Sequence, residues 1–360
     1  MILAGAAGLA AVTLLLGFCT SLTEIIFVRA LAGFLAANVA VYPAVLAEIT
    51  DSSNSPTAYS LYALTWPFGS TIGPLIGGSF SNLGTKYPEY WGYEFIISHP
   101  YFMPNLVCSG LVVIGFCLSY MYLQESLPRD KRRGYCNDDN ANTQPPRLGV
   151  IELLSIPMIR SLTLSGFALA FISTSYDVVT EIGYTLALSG AIVAALQLFF
   201  MPTLLRTFRA STLYHTSMCC WPLTFFFIPF LNSIVRVGYD ADSEIAGTIT
   251  NVILWTTMTF ILISSRVASL AFTTNIILIR NHSPSPSYLG ASSGLVQVAM
   301  CVARCFSPAF ISSVFALSVG NDSLGGYPIW VVVMPLVCSV GCYISQKMMA
   351  MEKETEAYNA

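Results

Sequence analysis

Ten long apolar runs, following one another with little polar sequence between them, constrain this chain more than any other feature. They fall at about 2–20, 24–48, 58–80, 102–123, 158–179, 183–205, 212–235, 247–279, 289–318 and 327–349. A membrane-crossing helix needs about 20 mostly apolar residues. In hydrocarbon every backbone N–H and C=O must find its partner inside the segment, so runs of this length specify helices. Only 10% of the residues are charged and 55% are hydrophobic, with a mean hydropathy of +0.67. Average soluble domains carry roughly 25% charged residues. The sequence therefore predicts an all-α, polytopic membrane protein. The first run lacks the basic leader of a signal peptide, and a second apolar run follows almost at once, so it reads as a span.

An even number of spans puts both termini on one side. That side would carry Arg129, Lys131, Arg132, Arg133, Arg147, Arg206, Arg209, Arg280, Lys347 and Lys353, against Lys86 and Arg236 on the other. The excess of basic residues on cytoplasmic loops makes the termini cytoplasmic. The longest polar stretch, 124–156, contains nothing that could build a core and reads as a flexible central cytoplasmic loop. It separates a membrane region of four spans, 1–123, from one of six, 157–349; residues 350–360 form a polar, frayed cytoplasmic tail. The fifth and sixth spans are joined by only a few residues around Thr180 and Glu181.

Several chemistries are excluded. The net charge of -3 and the lack of a long basic run leave no footprint for nucleic acid. His99, His215 and His282 have no ligand partner nearby in sequence. No catalytic elbow, phosphate loop or zinc motif occurs, and no enzyme activity or cofactor is expected. Cys301/Cys305 and Cys338/Cys342 each share a helix face, but no acid or histidine accompanies them. They read as small packing residues rather than a metal site. Asn321-Asp-Ser323 is a glycosylation sequon on the outer side.

The stretch Gly69-Ser-Thr-Ile-Gly73-Pro74-Leu-Ile-Gly77-Gly78 is the most informative. Glycines four apart line one helix face and let a neighbour approach; Pro74 removes a backbone donor and bends the helix. Arg29 lies in the second run, where a buried arginine costs about 2.5–3.5 kcal/mol unless it finds an acceptor or snorkels to the interface. Glu48 and Asp51, three apart at the end of that run, can share one helix face and latch a basic loop, or be solvated. Asp177, Arg266 with Asn275, and Arg304 before Ser307-Pro308 are further intramembrane polar groups. Each is a candidate transport residue, an interface anchor or a structural pair.

These residues resemble the major facilitator superfamily, in particular its drug:proton antiporter branch. Gly69–Gly78 is similar to the antiporter signature of the family's fifth helix. Arg29 with Gly33 is similar to the arginine motif of its fourth. Leu123-Gln-Glu125-Ser-Leu127-Pro128 resembles the exit from its sixth, and Ser287 to Gln297 its entry to the eleventh. The resemblance covers nearly the whole chain. It implies a helical bundle with about 10 of the usual 12 transmembrane helices. The family's first two helices, with the Gly-x-x-x-Asp-Arg loop after them, have no counterpart, and the junction at Thr180–Glu181 suggests a second shortening.

The implied activity is proton-coupled export of a small organic molecule by alternating access between two halves. In that scheme Arg29 and Asp177 are the proton-coupling candidates. Gly69, Gly73, Pro74, Gly77 and Gly78 seal helix packing, Glu48 and Asp51 form the cytoplasmic latch, and Arg266, Asn275 and Arg304 are second-half candidates. The expected partners are the bilayer, a small-molecule substrate and protons, with the protein a monomer in the plasma or vacuolar membrane. The alternative is a non-transporting receptor or scaffold, or an inactive truncated product of a transporter gene.

Overall fold

A computed structural model describes residues 2–36, 39, 41–51, 53–123, 149–180, 192–239, 244–284, 288–319 and 329–359, and these contain no strand. Five helices among them are long and apolar enough to cross a membrane: Phe102–Tyr122, Pro157–Tyr176, Thr248–His282, Leu289–Ser318 and Trp330–Glu354. Ile2–Leu16 and Ile192–Thr207 are shorter apolar helices. Large apolar side chains such as Phe199, Phe306, Val332 and Leu336 stand exposed on these helices. An apolar surface of that extent suits lipid rather than water.

The helices are α1 (Ile2–Leu16), α2 (Leu22–Leu35), α3 (Tyr42–Ile49), α4 (Ser55–Ala63), α5 (Thr65–Phe80), the short α6 (Leu83–Lys86), α7 (Pro88–Trp91) and α8 (Glu94–Ser98), then α9 (Phe102–Tyr122). After the central loop come α10 (Val150–Ser155), α11 (Pro157–Thr180), a π-helical turn at Leu196–Phe200, α12 (Met201–Thr207), α13 (Ala210–Tyr239), α14 (Glu244–Ser269), α15 (Ala271–His282), α16 (Leu289–Val319) and α17 (Trp330–Asn359).

Several expected spans divide near prolines. The run 24–48 gives two helices, α2 ending at Leu35 and α3 beginning at Tyr42, with Pro43 in the first turn of α3 where its missing N–H costs nothing. The run 58–80 divides at Leu64, three residues before Pro67 in the first turn of α5. The π turn ends two residues before Pro202, in the first turn of α12, whose missing N–H removes the helical donor to the i−4 carbonyl. The stretch 247–279 is interrupted at Leu270, between α14 and α15.

Two polar segments are more ordered than the sequence predicts. Residues 150–155 of the expected loop form α10, with Glu152 accepting from the Gly149 amide at 2.8 Å and Leu153 buried. The tail is not frayed but continues α17 to Asn359. Loop residues 124–148 and the Glu181 junction lie outside the described residues.

The contacts do not follow the division of the sequence at the central loop. One compact unit comprises Met1–Ile49 with Gly69–Arg147, and the other Thr50–Phe68 with Leu148–Ala360. In the first unit α1 packs between α2 and α9. Ser109 Oγ donates to Ala10 O at 2.8 Å, tying α9 to α1. A Cβ on Gly17 would lie 3.1 Å from Phe102 Cα, so these two helices touch backbone to backbone there. A capping box of Ser21 and Glu24 starts α2. Asn82, with φ 55°, turns the chain after α5, and Lys86 Nζ donates to Gly78 O at 2.9 Å, near the end of α5.

In the second unit α11 packs on α16 and α17, and α13 on α14 and α17. A Cβ on Gly166 would meet Val296 Cγ1 at 2.9 Å, and one on Gly341 would meet Met218 Cε at 2.9 Å. Small residues therefore set both approaches, as expected where lipid supplies no hydrophobic drive between helices. Trp221, Tyr176, Tyr214 and Phe225 fill the interior.

Candidate functional site

The second unit holds an arginine in an aromatic setting. Arg266 occupies the last turn of α14, where the helix dipole favours a cation. Its guanidinium lies 5.8 Å from the ring centroid of Tyr176 on α11. Tyr176 meets Trp221 edge-on at 5.8 Å and Phe225 at 6.2 Å, both from α13. A desolvated cation–π contact is worth about 2 kcal/mol, which offsets part of the cost of an intramembrane arginine. It leaves the donors unspent. Arg266 Nε is buried without a hydrogen-bond partner, and so is the indole N–H of Trp221, a residue only 1% exposed. Three helices thus bring two unpaired donors and a π surface into one region. Such a region favours an acceptor, and an anionic one most of all.

The same unit holds further buried polar groups. Asn275 on α15 is fully buried with both amide atoms unpaired. The Tyr214 hydroxyl is turned toward Asn275 and Ser165 but completes a hydrogen bond with neither. Gln197, in the π turn, donates to Thr273 Oγ1 at 3.0 Å and accepts from it at 3.2 Å. Ser175 and Ser307 stand 2.7 Å apart, and both hydroxyls reach Phe171 O, joining α11 to α16 beside Pro308. Arg304, one turn earlier on α16, lies 5.5 Å from the Trp66 ring and 5.9 Å from that of Phe272.

The expected latch is built differently from the sequence reading. Glu48 and Asp51 do not share a helix face, because α3 ends at Ile49. The Asp51 amide instead donates to Asn54 Oδ1 at 2.9 Å, opening the next helix. The cation that grips this segment is Arg280 of α15. Its Nη2 donates to Thr50 O at 2.9 Å, its Nη1 donates to Ser55 Oγ, and its guanidinium lies 5.6 Å from the ring of the buried Tyr59. These bonds explain why Thr50–Phe68 groups with the second unit. Arg280, Arg209, Ser55 and Asn281 also line a cavity of about 490 Å³.

Arg29 and the glycine string belong to the first unit. Arg29 is exposed on α2, a helix that buries none of its residues, and makes no hydrogen bond or ion pair among the described residues. Gly69, Gly73, Gly77 and Gly78 lie on α5 with nothing within 4 Å of an added Cβ, so no described atom packs on their open sides. Asp177 follows Tyr176 on α11, but its side chain lies outside the described residues. Sequence reasoning overlooked Trp221, Tyr214 and the pairing of Ser175 with Ser307. An aromatic or serine in an apolar run carries no local signal. The histidines do find partners at long range: His282 Nε2 lies 3.6 Å from Glu352 Oε1, and His215 Nδ1 is 2.8 Å from Ser345 Oγ.

An arginine among apolar helices of span length marks a candidate functional site in a membrane protein. The sequence profile of the Major Facilitator Superfamily matches residues 1–308, and the chain belongs to that family. It is similar to the major facilitator-type transporter psiT2 of Psilocybe cubensis, 32% identical over 406 aligned positions that cover 99% of this chain and 77% of the relative. It is also similar to the efflux pump azaK of Aspergillus niger, 23% identical over 352 positions covering 92% and 69%. Its fold matches the human organic anion transporter MFSD10 (TETRAN) with a TM-score of 0.65 at 15% identity, over 96% of this chain and 76% of that one. The psiT2 alignment is longer than the 360-residue chain, so that relative carries internal residues opposite gaps here.

Proposed function

We propose that the protein exports a small organic molecule in exchange for protons by alternating access. The observation that carries the reading is the Arg266 site, with a guanidinium on the Tyr176 face and the unpaired N–H groups of Arg266 and Trp221 beside it. An acceptor group of the substrate would satisfy donors that the protein leaves open, which is how binding energy becomes available at a membrane midplane. The names of the multidrug transporter mfsB of Aspergillus fumigatus, 33% identical over 37% of this chain, and of azaK support export of organic molecules.

In this scheme Arg29 and Asp177 tune proton uptake, and Asn275 and Arg304 flank the substrate path. Gly69, Gly73, Pro74, Gly77 and Gly78 meet a neighbouring helix in one state of the cycle. Substrate specificity resides in the second unit. The protein works as a monomer in the plasma or vacuolar membrane with its termini in the cytoplasm.

The test is transport in proteoliposomes. With an imposed pH gradient, the wild-type protein drives dye accumulation that collapses with a protonophore, and Arg266→Ala does not. Equal accumulation in empty vesicles and in vesicles holding folded, inserted protein would end the proposal.

A second reading is a receptor or scaffold that binds a ligand without moving it. The internal residues of psiT2 opposite gaps in this chain favour it. It predicts saturable binding of the same dyes, lost in Arg266→Ala, with no gradient-driven flux.

A further inference from the structure

We propose that Cys219 is an activated thiol, and that it forms a reversible disulfide with Cys342 by exchange with a low-molecular-weight disulfide, joining α13 to α17. His215 and Cys219 lie four apart on α13, and Cys342 and Ser345 three apart on α17, so each pair shares a face. The two faces meet where Gly341 admits the side chain of Met218. Cys342 Sγ donates to Met218 O at 3.4 Å, which holds it against the backbone beside Cys219. Both cysteines are half-buried.

The hydrogen bonds assign each proton. Ser345 has one hydroxyl proton, and its oxygen lies 2.8 Å from Cys342 O, an acceptor only. Ser345 Oγ must therefore accept the bond from His215 Nδ1, 2.8 Å away. The imidazole proton is on Nδ1, and the Nε2 lone pair faces Cys219 Sγ at 3.7 Å. A nucleophile, a base and a group that orients the base stand in sequence, the arrangement that activates a thiol. Cys220, the next residue, has no such neighbour; its thiol donates back to Thr216 O.

The chemistry balances. The Cys219 thiol gives its proton to His215 Nε2, and the thiolate attacks one sulfur of the small disulfide. A Cys219 mixed disulfide forms and one small thiolate leaves, taking the proton from His215. Cys342 attacks the Cys219 sulfur as its thiolate and expels the second small thiolate, which takes up the proton that Cys342 releases. Two protein thiols are oxidised by two electrons, and one small disulfide is reduced to two thiols. Cys219 lies about 14 Å along its helix from Ala210, and Cys342 about 8 Å from Lys347, at about 1.5 Å per residue. A small, membrane-permeant reagent can reach both.

The experiment uses the full chain in liposomes with 2,2′-dithiodipyridine, read by mass spectrometry. Cys219 should react at least tenfold faster than Cys301 and Cys305, which are exposed. A peptide pair linking Cys219 to Cys342 should then accumulate and vanish on reduction. His215→Gln should slow the Cys219 reaction about tenfold while leaving Cys301 unchanged. Cys342→Ser should arrest Cys219 as the mixed disulfide. If His215→Gln does not fold, Ser345→Ala, which releases the imidazole, should give a smaller slowing of the same kind. Reaction of Cys219 no faster than Cys301, or a mixed disulfide that persists on Cys219 with Cys342 present, would overturn the proposal.

Discussion

Arg280 donates a 2.9 Å hydrogen bond to the carbonyl of Thr50, 230 positions earlier in the chain. The same guanidinium serves Ser55 and lies against Tyr59. A planar fork can meet both oxygens and a ring face at once, whereas an ammonium cannot. Arg280→Lys should therefore loosen the 50–63 segment despite keeping the charge. We expect a loss of about 1–3 kcal/mol, seen as faster amide exchange across α4. Unchanged exchange there would show that the fork does not hold the segment.

Trp221 separates stability from function. Trp221→Phe keeps most of the ring packing and removes the buried, unpaired N–H. Leaving such a donor unsatisfied costs about 1–3 kcal/mol, so the variant should melt no lower than wild type. If that N–H serves the substrate, KM for transport should rise about tenfold with kcat little changed, since about 1.4 kcal/mol is a factor of ten. A variant with unaltered KM would remove Trp221 from the binding site.

Two groups of glycines should respond in opposite ways. A Cβ on Gly166 meets a branched valine at 2.9 Å and Met300 Cε at 3.0 Å. Gly166→Ala should cost about 1–3 kcal/mol through overpacking. Gly69→Ala and Gly73→Ala add a Cβ into open space and raise helix propensity by about 1 kcal/mol each. They should not lower the melting temperature. A loss of transport in Gly73→Ala at full stability would assign the motif to packing in another state of the cycle. Thermal melts in detergent, paired with flux assays, make the comparison.

On the tail helix Glu352 Oε1 stands 3.6 Å from His282 Nε2, an ion pair when the imidazole is protonated. Glu352→Ala should expose the end of α17, so that trypsin cuts faster after Lys347 and Lys353. Equal cleavage rates would mean that the helix holds without this contact.

Much of the architecture is legible in the amino-acid sequence. Hydrocarbon forces each backbone group to pair within its own segment, so the apolar runs report helices locally, whereas the divisions near Pro43 and Pro67 fall inside runs that read as single spans. The glycine string from Gly69 to Gly78 and the Arg29 motif are local in the same sense, and they suggest the family. What the tertiary structure decided is which distant side chains meet. Nothing near Arg280 names Thr50, and nothing near His215 names Ser345. Nor does Arg266 announce the face of Tyr176, because inter-helix contacts depend on helix rotation and on small residues such as Gly166 and Gly341. The sequence thus determined a helical membrane transporter fold, while packing between helices far apart in the chain assembled Arg266, Tyr176 and Trp221 into a candidate site.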